Sequence, residues 1–227
     1  MQALPGASTT GAAADNPSPP TVPVLQDGNC FIHLYPRTED LAMVVYAADH
    51  MTDRPQARQL LAQAIREQYG LFPLPAVETG RRGKPFFPDY PGIHFNLSHS
   101  AALVLCALDS APVGADVQIV APRRPITVER CCSPDERAWL RGRGDNWEDF
   151  ALLWSLKEAL AKQRGTGLTF PVSAIAPPLP AGTESLLAQD GLWFRLYQGE
   201  GWRGAACGLT PPPEQLLWRT LPEEKNL

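Results

Sequence analysis

The strongest pattern of apolar and polar positions runs through "FALLWSLKEALAKQRG", residues 150–165. On a wheel of about 100° per residue, Phe150, Leu152, Leu153, Trp154, Leu156, Leu160 and Ala161 share one broad arc, which predicts a core helix. Gly165 and Gly167 end it. An earlier stretch, "DRPQARQLLAQAIREQYGL", spaces Leu60, Leu61, Ala64, Ile65 and Tyr69 helically and predicts a helix stopped by Gly70. "CFIHLYP" and "LAMVVYAA" predict strands. "IHFNLSHS" leads into "AALVLCAL", whose nearly continuous apolar run predicts a buried strand, and "VGADVQIV" predicts a short one after it. "LWFRLYQ" and "WRGAACGL" predict a closing hairpin. Between these, Ala121 to Gly144 is polar and arginine-rich, with "SPDERAWLRG" a short helix capped by Ser133. The order predicts an α+β fold of two similar halves, 25–109 and 110–227, behind a disordered Pro/Ala-rich tail at 1–24.

Composition narrows the class. With 227 residues, 44% hydrophobic, the chain can bury a sizeable core. Charged residues are 19% and the net charge is −4, which argues against general nucleic-acid binding. The five cysteines are odd in number, include a vicinal pair and lack CxxC spacing, so neither a disulfide framework nor a zinc site is expected. The first residues lack the basic and apolar regions of a secretory signal, and no stretch reaches the roughly 18–20 apolar residues of a membrane span. The expectation is a cytoplasmic protein that meets anions through a local cluster.

Four places break the local rules. Lys157 falls near the middle of the apolar arc of the 150–165 helix, where an ammonium must snorkel out or meet an anion. On the rim of that helix, Glu158 and Lys162 are one turn apart, the spacing of an ordinary surface pair. Asp116 and Gln118 share one face of a strand, which reads either as an exposed strand end or as a site for a hard cation. His99 stands between two serines before a very apolar strand. That is a structural histidine or part of a socket for phosphate oxygens, since the G-x-S-x-G elbow of a Ser–His hydrolase is absent. Finally, "GRRGKP" sets Lys84 in a glycine loop without the spacing of a phosphate-cradling P-loop.

Taken in order, "GKPFFPDYPGIHFNLSHS", "VGADVQ" and "WSLKEALAK" resemble the three signature blocks of the 4′-phosphopantetheinyl transferases, specifically the larger, monomeric type that activates peptide and polyketide synthases. The resemblance implies that family's fold, with the active site between two halves related by a pseudo-two-fold. It also implies transfer of 4′-phosphopantetheine from coenzyme A to a serine of an apo acyl or peptidyl carrier protein, with release of 3′,5′-ADP. By the same resemblance Asp116 and Glu158 hold Mg²⁺ against the pyrophosphate, and Lys162 with Lys157 neutralises phosphate charge. His99, Ser98 and Arg58 serve the 3′-phosphate, Lys84 lines the adenosine end, and Trp154 packs. Glu158 is the implied proton acceptor, through water.

Two departures stand out. Gln118 replaces a second acid; as a weak metal ligand it can offer a carbonyl oxygen or hold a water, but it carries no charge. The basic stretch usual between the second strand and the first helix is missing, leaving Arg81 and Arg82 to compensate. These departures motivate an alternative, a degenerate member that binds coenzyme A or a carrier protein without transfer. For docking of an acidic carrier protein, 121–143 stands out, with Arg123, Arg124, Arg130, Arg137, Arg141 and Arg143 against Glu129, Asp135 and Glu136. The pathway served, whether fatty acid, polyketide or peptide synthesis, is not encoded in these features.

Overall fold

A computed structural model describes residues 42–51, 54–168 and 171–221. The expected tail and the "CFIHLYP" strand lie outside these residues. Strand β1 (Val44–Ala48) leads to helix α1 (Arg54–Tyr69), and a small hairpin of β2 (Glu78–Thr79) and β3 (Pro85–Phe86) follows. Next come β4 (His94–Ser100), β5 (Leu103–Asp109) and β6 (Gly114–Ile119). Helices α2 (Pro125–Cys131), α3 (Pro134–Gly142) and α4 (Trp147–Arg164) precede β7 (Leu186–Gln189), β8 (Leu192–Gly199), β9 (Trp202–Gly208) and β10 (Leu217–Trp218).

Two four-stranded sheets form, in the orders β10-β1-β5-β4 and β6-β9-β8-β7. The segments β1–α1–β4–β5 and β6–α4–β8–β9 follow one connectivity: strand, helix, then a hairpin whose second strand pairs with the first. Period-two alternation sorts the side chains. On the first sheet Tyr46, Ala48, Val104, Cys106 and Leu108 pack with Leu60, Leu61, Ala64 and Ile65 of α1. On the second, Phe194, Ala205 and Cys207 pack with Leu156, Ala159 and Leu160 of α4. The opposite faces meet each other, Val45 and Ala107 against Ala115 and Ala206, and Leu103 and Leu105 against Val117. Strand β5 is thus covered on both sides and all seven of its residues are buried, the physical reason for its unbroken apolar run.

The seam between the sheets is made by side chains. Strands β4 and β6 run in the same direction at a constant offset, and the Ala115, Val117 and Ile119 amides donate to Asn96 Oδ1 (2.8 Å), Ser98 Oγ (3.4 Å) and Ser100 Oγ (3.0 Å). Alternate polar side chains of β4 thereby do what backbone carbonyls do in a parallel ladder. On its other face β6 lies hard against α4: a Cβ on Gly114 would run into the Ala159 carbonyl and come within 2.5 Å of the Gln163 amide nitrogen.

Helix α2 was expected as loop. It opens with Pro125 at its first turn, but it carries β-branched residues and buries none of its side chains, so no apolar stripe announces it. Strand β7 is likewise an element that the pattern did not predict. Helix α3 begins with a capping box: Ser133 Oγ accepts from the Glu136 amide and Glu136 Oε2 accepts from the Ser133 amide. Helix α4 is capped by Asn146 and ends at Gly165 in the left-handed region (φ 64°).

Lys157 requires a correction. The ammonium does not face a phosphate-lined cleft. It is 1% exposed, pairs with Glu136 Oε1 at 2.6 Å, and donates to the carbonyls of Ile175 (2.6 Å) and Val172 (3.3 Å). The anion demanded by its place in an apolar arc is the protein's own, brought in by the capping box of α3.

Candidate active site

Strand β6 points Asp116 and Gln118 towards α4, because Ala115 and Val117 between and beside them face the first sheet. Helix α4 answers with Glu158 and, one turn later, Lys162. Together with Leu97, Ser98 and His99 of β4 and Ala57 of α1, these residues line one open cavity of about 510 Å³.

Asp116 is the electrostatic centre. It is 2% exposed. Its Oδ1 accepts from Lys162 Nζ (2.6 Å) and Ser98 Oγ (2.7 Å), and its Oδ2 from Gln118 Nε2 (2.8 Å). Lys162 Nζ also donates to Ser98 Oγ (3.0 Å) and the Ala115 carbonyl (3.3 Å). The lysine therefore pairs with Asp116 rather than with its helix neighbour Glu158, and the reading of an incidental surface pair does not hold. Glu158 is half-buried, and among the described residues its carboxylate receives no hydrogen bond. Burial first, then the negative charge of Asp116, push its pKa above the ordinary carboxylate range, while Lys162 opposes the rise.

This donor set bears on metal binding. Among the described residues no three His, Cys, Asp or Glu side chains come together as a full protein cage. Two carboxylates facing one cavity nevertheless suit Mg²⁺, which keeps several waters and takes one or two carboxylates plus substrate phosphates. A carboxylate has about four acceptor positions. Three on Asp116 are filled, and the remaining one lies on Oδ2. The Gln118 amide must present nitrogen to an acceptor-only carboxylate, so it adds a donor where a second acid would add repulsion.

The other residues singled out in the sequence separate into groups. His99 is exposed on the face of β4 opposite Ser98, whose hydroxyl is buried and turned to Asp116. Arg58 is exposed on α1 beside Ala57. Lys84 donates to the carbonyls of Val113 (3.1 Å) and Gln163 (3.0 Å), tying the glycine loop to the start of β6 and the end of α4. Its burial lowers its pKa. It lines a second cavity of about 210 Å³ with Arg82 and Asn96, and that cavity shares Leu97 and Lys162 with the first. Trp154 lines a third, of about 150 Å³, with Phe150, Ile119 and Arg123, and this one shares Gln118. In the 121–143 segment Arg123, Arg124, Arg130 and Arg141 are exposed. Arg143 is held by Asp149 at 2.9 Å and lies over the Trp139 ring, and Arg137 donates to the Glu129 carbonyl.

The Asn96–Ser98–Ser100 row was not recognised in the sequence. Its signal is three polar residues at every second position of a strand whose alternate face carries Phe95 and Leu97.

Comparison with known proteins gives a consistent picture. The family profile described as the 4′-phosphopantetheinyl transferase superfamily matches residues 112–207, which span β6 to β9 and hold Asp116, Glu158 and Lys162. A 4′-phosphopantetheinyl transferase of Bacillus subtilis is 34% identical over 161 residues, covering 67% of this chain and 71% of the relative. The 4′-phosphopantetheinyl transferase Sfp of Bacillus subtilis strain 168 is 34% identical over 61% of this chain and 65% of its own length. The 4′-phosphopantetheinyl transferase AcpT of Salmonella typhimurium is 32% identical over 53% and 65%. No helix among the described residues is long and apolar enough to cross a membrane.

Proposed function

The chain belongs to the 4′-phosphopantetheinyl transferase superfamily, and on that premise we propose that it moves the phosphopantetheine group of coenzyme A onto a serine of an apo carrier protein, releasing 3′,5′-ADP. The observation that supports this reading most directly is the meeting of Asp116, Glu158 and Lys162 at one cavity from two different elements.

Phosphoryl transfer asks a protein chiefly for positioning and for charge neutralisation. Asp116 and Glu158 would hold Mg²⁺, which when bound supplies a Lewis acid for the pyrophosphate oxygens. Lys162 sets a fixed positive charge beside the same oxygens, held in place by Asp116, Ser98 and the Ala115 carbonyl. Glu158 has the raised pKa of a proton acceptor and receives no hydrogen bond from the described residues. It takes the proton of the attacking carrier serine through a water molecule, and the β-phosphorus bond to the 3′,5′-ADP oxygen breaks as the serine oxygen bonds to it. His99 and Arg58 meet the 3′-phosphate, and Lys84 and Arg82 border the adenosine end.

Carrier protein docks on 121–143, where Arg123, Arg124, Arg130 and Arg141 stand free in solvent beside exposed Ile126. A basic surface on a chain of net charge −4 is suited to an acidic partner.

Mass spectrometry tests the reading: apo carrier protein incubated with the chain, coenzyme A and Mg²⁺ gains the mass of one phosphopantetheine. An unchanged carrier mass, with coenzyme A still bound, would instead identify a binding module.

A further inference from the structure

We propose that Ser98 is a positioning residue, that its hydroxyl fixes the Asp116 carboxylate and the Lys162 ammonium, and that this hydroxyl takes no part in holding the 3′-phosphate of the donor. The inference rests on the transferase reading above and departs from what the family resemblance implied for this serine.

A hydroxyl has one donor and two acceptor positions. On Ser98 all three are taken. Lys162 Nζ and the Val117 amide can only donate, so both use the acceptor positions, at 3.0 and 3.4 Å. Asp116 Oδ1 can only accept, so the single hydroxyl proton goes to it, at 2.7 Å. A phosphate oxygen needs a donor, and this hydroxyl has none left. Burial agrees: Ser98 is 8% exposed, whereas its neighbour His99 is exposed on the opposite face of the strand.

The same hydroxyl completes a triangle. Ser98 Oγ, Asp116 Oδ1 and Lys162 Nζ lie 2.7, 2.6 and 3.0 Å apart, so each group fixes the other two. Without the hydroxyl, Asp116 keeps Lys162 and Gln118, and Lys162 keeps Asp116 and the Ala115 carbonyl, but the corner of the triangle that ties both groups to β4 is gone. The side-chain seam adds direction, because Asn96 and Ser100 hold the Ala115 and Ile119 amides on either side of Asp116. Strand β4 sets both the position of β6 and the orientation of the carboxylate it carries.

The experiment compares Ser98→Ala, Ser98→Thr and His99→Ala, each with coenzyme A and with 3′-dephospho-coenzyme A as donor. For Ser98→Ala, kcat should fall on the order of 10- to 100-fold, the size expected when hydrogen bonds to charged groups are lost, and equally for both donors. Ser98→Thr restores most of the rate, while the His99→Ala defect is confined to the 3′-phosphorylated donor. A Ser98→Ala loss that disappears with the dephospho donor, or wild-type rates in that variant, overturns the proposal. Binding of adenosine 3′-phosphate, followed by NMR titration, supplies a readout independent of turnover. Ser98→Ala leaves that affinity unchanged and His99→Ala weakens it; weaker binding by Ser98→Ala overturns the proposal. A wild-type chain that transfers from neither donor refutes the transferase reading alone, and the NMR titration still decides the role of Ser98.

Discussion

Replacing Lys157 with Met removes a charge whose surroundings are fully specified. The ammonium is 1% exposed and the Glu136 side chain 4%, and the ammonium also serves two backbone carbonyls. In Lys157→Met the Glu136 carboxylate stays buried with the Ser133 amide as its remaining donor among the described residues, and the Val172 and Ile175 carbonyls lose the ammonium. Breaking a buried pair from one side costs about 3–5 kcal/mol. For a protein of this size each kcal/mol shifts Tm by about 2–4 °C, so a fall of roughly 6–20 °C is expected. The double variant Lys157→Met/Glu136→Leu should regain most of that loss, because apolar replacements of buried pairs are often neutral. Thermal and urea unfolding of the two single variants and the double variant measure the cycle. A loss under about 1 kcal/mol for Lys157→Met, or a double variant no more stable than the single, would refute the reasoning. Transfer assayed well below Tm separates the two roles, since a lysine that holds α3 and the 172–175 segment against α4 leaves kcat near wild type. A phosphate-neutralising lysine would lower it whatever the stability.

Other consequences follow from single contacts. Gly114→Ala forces backbone against backbone at α4 and should destabilise by about 1–3 kcal/mol or more, read from the thermal midpoint, with transfer falling as Asp116 is displaced. Glu158→Gln should cut transfer by about 10²- to 10⁴-fold while leaving stability within about 0.5 kcal/mol, because the side chain is half-buried and unbonded among the described residues. Glu67 is held down to about 2, chiefly by hydrogen bonds from Arg219. A carboxylate with a depressed pKa stabilises the fold above its unfolded value and loses that contribution as pH falls from the ordinary carboxylate range towards 2. Because the pair is partly exposed, the effect should be about 1 kcal/mol or less, seen as a smaller acid loss in Glu67→Gln than in the wild type.

What the sequence made legible depended on how local the controlling physics was. Helix α4, helix α1 and the buried strand β5 could be read because periodicity and caps lie within each segment. The Lys157 case divides neatly: the rule that a lysine in an apolar arc must meet an anion is local, but the identity of that anion is not. Glu136 is distant in sequence and reaches Lys157 only after the capping box turns its carboxylate inward. Asp116, Glu158 and Lys162 could be named from motif resemblance, yet the choice of Asp116 over Glu158 by Lys162 depends on the close approach of β6 to α4. The hydroxyl row on β4 was missed because polar residues in alternation ordinarily signal a solvent-facing edge, and here the edge faces another strand. Helix α2 was missed for the opposite reason, having no buried side chain to leave a trace.

Helix α4 has almost no wet face, and this links the lifetime of the site to that of the whole chain. In a helix bordered by solvent, one turn can open while the core stays shut. Around Glu158 the flanking residues Leu156, Lys157, Ala159, Leu160 and Ala161 are all buried, so opening that turn exposes the heart of the second sheet's core. Amide hydrogens there should exchange only through global unfolding, and heat inactivation should track loss of the fold rather than precede it. On the proposed docking face, exposed Ile126 and Arg130 of α2 can then vary without disturbing that helix, whereas Val128, packed with Phe150 and Leu153, cannot.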